Sequence, residues 1–139
     1  QYGFQKVFSD RNAIYCIVRS LCHNSAKTRS QCLDLLSALC FVNGGHPMIV
    51  EHLSDFVALG LGESRANRQE FGEDKRWQTL IYYFAHDDDF YADFFVSCMQ
   101  FINIVVHSVE DINYRVYLQH EFHLLGLSHL LEVRSIDSI

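Results

Sequence analysis

The stretch from Asp88 to His107, DDFYADFFVSCMQFINIVVH, constrains the fold more than any other part of the chain. Its polar residues Asp93, Ser97, Gln100, Asn103 and His107 recur at spacings of 4, 3, 3 and 4. Those spacings place them in one stripe along a helix. Nearly everything else from Phe94 to Val106 is apolar. A helix that is apolar around most of its circumference needs neighbours on most of its sides. Ala26 to Val42 has the same character, with a stripe of Gln31, Asp34, Ala38 and Phe41 and with Ser30 and Ser37 beside it. Two such helices, each following shorter ones, predict stacked helical repeats. The expected fold is all-α, an armadillo-repeat-like α-solenoid, with these residues as part of one larger superhelical domain. A helical bundle is the alternative architecture.

The remaining sequence is helical by the same test. Short helices are expected over Tyr2–Phe8 and Asn12–Cys22, the second capped by Ser9 or Asp10. Asn24 or Ser25 caps the helix that starts at Ala26. Asn43-Gly44-Gly45 ends it, because Asn and Gly tolerate the left-handed conformation. Pro47 then stands in the first turn of a helix reaching about Leu59. Gly60 to Lys75, GLGESRANRQEFGEDK, is polar and glycine-punctuated and reads as a surface loop insertion. Arg76–Ala85 is helical, and Asp87–Asp89 offer caps for the long helix after it. Ser108 and Asp111 have capping-box spacing for a helix over Val109–Leu125. Gly126 closes that helix, and Ser128 opens the last one. One proline and seven glycines in 139 residues are too few for the turns of an all-β chain.

A formal charge of −6 disfavours nucleic acid and polybasic membrane anchoring. No apolar run reaches the 18 residues of a membrane span. Five cysteines, an odd number with no CxxC pair, fit buried thiols in a reducing cytosol better than a disulfide framework. The opening at Gln1 reads as the start of an excised segment. Catalytic and metal chemistry have little support. His120 and His123 stand at i and i+3 rather than in HExxH, and no third ligand has a zinc-like spacing. Asp87-Asp88-Asp89 lacks the alternation of a calcium loop. Cys40, inside LLSALCFV, is a buried thiol rather than a nucleophile paired with His46. No enzyme activity, cofactor or metal is expected.

The two stripes have two readings: solvated helix faces, or the lining of a concave groove suited to an amphipathic helix. A resemblance bears on the choice. LDLLSALCFVNGGHPMIV, from Leu33 to Val50, resembles the regulatory region of formins. SCMQFINIVVHSVEDINYRVYLQHEFHLLGL, from Ser97 to Leu127, resembles the formin-like (leukocyte-type) subfamily, as does the opening QYGF. The likeness covers the chain apart from Glu63–Lys75. It implies part of the armadillo region called formin homology 3, or the diaphanous inhibitory domain. That region binds the formin's own C-terminal autoregulatory helix and restrains actin filament nucleation and elongation. A Rho-family GTPase, bound mostly through upstream segments, relieves the restraint. Actin is touched only indirectly, and the implied location is the cytoplasm, at the actin cytoskeleton and cell cortex. The groove positions the resemblance implies are Asp34, Ala38, Phe41, Val42, Gln100 and Asn103. Many formins carry lysine where Asp34 stands, and Phe41 is bulkier than the usual aliphatic residue. A GTPase- or membrane-partner scaffold, using the outer face or the 60–75 loop, is the alternative function.

Overall fold

The computed structural model describes residues 9–58, 76–86 and 91–137, together with Gly3 and Lys6. Among the described residues there are seven α-helices and no strand, so the all-α expectation holds. They are α1 (Arg11–Arg19, continued by a 3₁₀ turn Ser20–Cys22), α2 (Ala26–Cys40), α3 (Gly45–Ala58), α4 (Gln78–Ala85), α5 (Ala92–His107), α6 (Ile112–Leu124) and α7 (Leu127–Asp137). Of the expected Tyr2–Phe8 helix only Gly3 and Lys6 are described, both helical, and the Gly60–Lys75 loop and the Asp87–Asp89 caps lie outside the described residues.

Side chains set several helix starts by satisfying first-turn N–H groups that have no partner within the helix. The Asp10 carboxylate accepts from the Asn12 N–H at 2.9 Å, and the Ser25 hydroxyl from the Thr28 N–H at 3.3 Å. Asp111 accepts from the N–H groups of Asn113 and Tyr114 at 2.8 and 3.3 Å. Here the expected capping box is corrected. Ser108 closes α5, its N–H donating to the Ile104 carbonyl at 3.0 Å, and α6 starts only after Asp111. Between the two helices Val109 is buried, and Arg115 donates to its carbonyl at 2.6 and 3.2 Å. A buried anchor therefore interrupts the run that the spacing read as continuous. At the other end of α5 the first helical residue is Ala92, and Tyr91 precedes it without a side-chain cap.

The α2–α3 corner is glycine-dependent. Gly44 sits at φ +78°, which L side chains rarely adopt. A Cβ on Gly45 would lie 1.9 Å from the Leu39 carbonyl oxygen, so α3 starts in contact with the end of α2. Gly126 closes α6 with a φ of +83°, as the sequence predicts.

Helices α2 and α5 pack on each other more extensively than any other pair, and they run in the same direction. The Arg29 guanidinium lies 4.9 Å from the Phe94 ring near their N-terminal ends. His46, just past the end of α2, bonds through Nε2 to the Val105 carbonyl at 2.7 Å, near the end of α5. Between them lies the core. Leu36, Leu39, Phe94, Phe101 and Ile102 are buried, as their spacing predicts. Two buried polar clusters extend this core. Arg29 donates to the carbonyls of His23 and Asn24 at 2.7 and 3.1 Å and stacks 4.1 Å above Tyr83. Trp77, which is 1% exposed, stacks on Phe122 at 4.8 Å and donates to Glu121 at 2.8 Å. Glu121 also takes Arg76 at 3.3 Å, which joins α6 to the segment entering α4.

Candidate functional site

The shared direction of α2 and α5 brings their two stripes onto one strip of surface. Gln31, Asp34, Gln100, Asn103 and His107 are exposed, and Ala38 is half-buried. Phe41 caps α2 with its ring 74% exposed, and Val96 is 50% exposed between Asp93 and Gln100. An aromatic ring this open, beside a small alanine, offers apolar area to an incoming side chain.

One stripe residue and the two serines beside the other stripe belong elsewhere. Ser97, Ser30 and Ser37 are buried, so the α5 stripe is not continuously exposed. The Ser30 and Ser97 hydroxyls share a 2.8 Å hydrogen bond across the seam. Serine spacing looks the same on a solvated face and at a close helix crossing, and the small side chain suits the crossing. Val42 is half-buried and packs against the core, so of the six positions the resemblance implies it has the least surface left for a partner.

At the N-terminal half of the strip the surface dips into a cleft of about 360 Å³. Lys27, Gln31 and Asp34 line it from α2, and Tyr91, Asp93, Val96 and Gln100 from the α5 side, with Ser30 and Ser97 also in its lining. Burial pushes the Tyr91 phenol up in pKa, and its hydrogen bond to the Asp93 carboxylate, with that carboxylate's charge, pushes it further. Asp34 has no hydrogen bond or ion pair among the described residues. The strip therefore has two chemistries: hydrogen-bonding and acidic around Asp34 and Asp93, apolar around Ala38 and Phe41.

The surface also carries exposed apolar residues that periodicity missed. Helix α6 buries Leu118 and Phe122 and leaves Ile112, Val116, Tyr117 and Leu124 exposed. Its apolar residues are spread around the axis, which blurs the one-sided pattern that spacing detects. The His120 and His123 rings on the same helix stack at a centroid distance of 6.4 Å. No group of three metal-ligating side chains occurs among the described residues.

The sequence profile described as the Diaphanous FH3 domain matches residues 64–135, more than half of the chain. The chain belongs to this family. Its armadillo-like helical fold is the fold of FH3 domains. This FH3 chain is 47% identical over 132 residues to the formin-like protein of Drosophila melanogaster, covering 95% of the chain and 10% of the relative. It is 42% identical to human formin-like protein 3, covering 95% of the chain and 12% of the relative. To mouse protein diaphanous homolog 3 it is 27% identical, covering 94% and 10%. The FH3 chain thus spans about a tenth of the length of the curated relatives it matches. No described helix is long and apolar enough to cross a membrane.

Proposed function

We propose that the FH3 chain is a non-catalytic regulatory module whose α2–α5 strip receives the C-terminal autoregulatory helix of its own formin. Occupied, the strip restrains actin filament nucleation and elongation; a Rho-family GTPase, captured mostly through upstream segments, displaces the helix. One observation carries this reading. Phe41 and Val96 lie exposed, and Ala38 half-buried, beside exposed Gln100 and Asn103 on two helices fixed by a buried core. Apolar anchors with fixed hydrogen-bond groups are what an amphipathic helix needs from a groove. The helix would lay its apolar face along the strip and bond Gln100 and Asn103 at its edge.

Fluorescence anisotropy tests the reading, with a labelled peptide of the C-terminal helix of the Drosophila formin-like protein as probe. Saturable binding by the chain is expected, with release when a GTP-loaded Rho-family GTPase is added to the full-length formin. No binding, or binding indifferent to Ala38→Asp, overturns the reading. The exposed apolar residues of α6 favour a second one, in which a partner protein docks on that face. Binding lost on Val116→Glu but kept in Ala38→Asp selects it.

A further inference from the structure

Phe41 is the C-cap of α2, past its last helical residue Cys40, so the α2–α3 corner rather than a further helical turn supports its open ring. Within the corner the Val42 N–H donates to the Leu39 carbonyl at 3.1 Å and the Gly45 N–H to the Val42 carbonyl at 2.8 Å. Gly44 at φ +78° and the close approach of Gly45 to Leu39 leave this backbone little freedom. Directly after Gly45 comes His46, half-buried, whose Nε2 lies 2.7 Å from the Val105 carbonyl oxygen. A carbonyl only accepts, so Nε2 carries the proton. Val105 stands in the last turn of α5, where carbonyls have no N–H partner within the helix. His46 therefore completes the end of α5 from a different element.

We propose that His46 is the positioning residue of the groove: its bond to Val105 holds the α2–α3 corner against α5 and thereby fixes the Phe41 ring relative to Asn103. The proposal rests on the helix-binding reading above and adds the residue that keeps its aromatic anchor in place. Asn103 and His107 are exposed on the strip to either side of Val105, which is itself fully buried. The carbonyl that takes the imidazole N–H thus belongs to the stretch of α5 that meets the bound helix in that reading. The Ser30–Ser97 bond ties the two helices in their N-terminal halves. His46 supplies the tie at the other end, where Phe41 stands. Without it the corner is free to shift, and a shift carries the ring away from the incoming apolar side chain. An anchor already held in its bound position costs less to order, so the tie is felt in affinity. His46 itself touches no part of the bound helix.

Two measurements on the full chain test this. Long-range proton–nitrogen correlation spectra should place the proton of neutral His46 on Nε2; a proton on Nδ1 alone leaves Nε2 unable to donate and overturns the proposal. The second measurement is anisotropy with the labelled C-terminal helix peptide of the Drosophila formin-like protein, at a temperature where circular dichroism shows every variant folded. His46→Asn falls short of Val105 and should weaken binding about tenfold, whereas His46→Gln, whose amide nitrogen reaches as far as Nε2, should bind like the parent. Both changes bring the same amide group, so a general loss of stability does not produce that split. In a Phe41→Ala background the His46→Asn loss should vanish, because His46 acts through the ring. Parent-like binding by His46→Asn, an equal loss in His46→Gln, or an undiminished loss beside Phe41→Ala shows that His46 is not a positioning residue; the groove reading then stands as long as Ala38→Asp fails to bind. If the parent binds no peptide, or Ala38→Asp binds as tightly as the parent, the groove reading falls and the proposal falls with it.

Discussion

Ser30 and Ser97 share a buried hydrogen bond of 2.8 Å between α2 and α5, the two helices of the proposed groove. Each residue is only 5% exposed, so little water can stand in for the partner hydroxyl. Replacing one by alanine leaves the other unsatisfied, at about 1–3 kcal/mol. Replacing both removes the demand along with the bond. A double-mutant cycle in urea should therefore show that Ser30→Ala/Ser97→Ala loses no more stability than either single change. Additive losses would show that the hydroxyls act independently.

Leu36 and Phe101 are fully buried between the same helices. Truncation of either to alanine leaves a cavity and should cost about 2–5 kcal/mol in denaturant melts. A loss under about 1 kcal/mol for both would mean that the site collapses freely, which a close-packed core does not allow.

Ala38→Asp probes the groove rather than the core. It would place a carboxylate where, in the proposed complex, the helix presents apolar side chains. Burying that charge unpaired costs several kcal/mol, so affinity should fall at least about a hundredfold. Ala38 is half-buried on the strip, and the helical melt should survive. Parent-like peptide affinity in a folded Ala38→Asp protein would sink the assignment.

At the α2–α3 corner, Gly45→Ala should destabilise more than Gly44→Ala. The first forces a Cβ into the Leu39 carbonyl, so the backbone of one helix must move. The second adds about 1–2 kcal/mol of left-handed strain at φ +78°. Thermal midpoints order the two variants, and the reverse order would contradict the geometry.

The thiols give a pH dependence with a definite sign. Burial pushes the Cys40 thiol up to about 12 from its ordinary 9.0, and raises Cys98 for the same reason. Below pH 9 both folded and unfolded chains keep these thiols protonated, and their contribution is intact. Above it the unfolded chain ionises first, so stability falls by about 1.4 kcal/mol per pH unit per thiol until the folded value is reached. Urea melts between pH 8 and 10.5 should show the decline, and Cys40→Ala should make it shallower, leaving the part due to Cys98. At pH 8 an aromatic disulfide reagent should modify exposed Cys16 well before Cys40 or Cys98.

The core was legible because Leu, Ile, Phe and Val at helical spacing have one sensible destination. Gln100, Asn103 and Phe41 were legible as surface for the converse reason. Ser30 and Ser97 were not, since serine suits water and a tight helix crossing equally. Nor was the burial of Arg29. Its fitness for the interior depends on Tyr83, Phe94 and two carbonyls, partners that meet only after folding. The start of α6 was misread because Ser108 and Asp111 can both cap, and the choice between them is made by Val109 going inward.

Trp77 is the chain's single tryptophan. It lies against Phe122, and its indole N–H is held by Glu121. The protein therefore carries an intrinsic optical probe at the junction between the segment entering α4 and helix α6. In the native state its emission is that of a shielded indole, and loss of this one contact moves the emission toward that of indole in water. Loosening there can be followed without attaching a dye, separately from the circular dichroism of the helices as a whole.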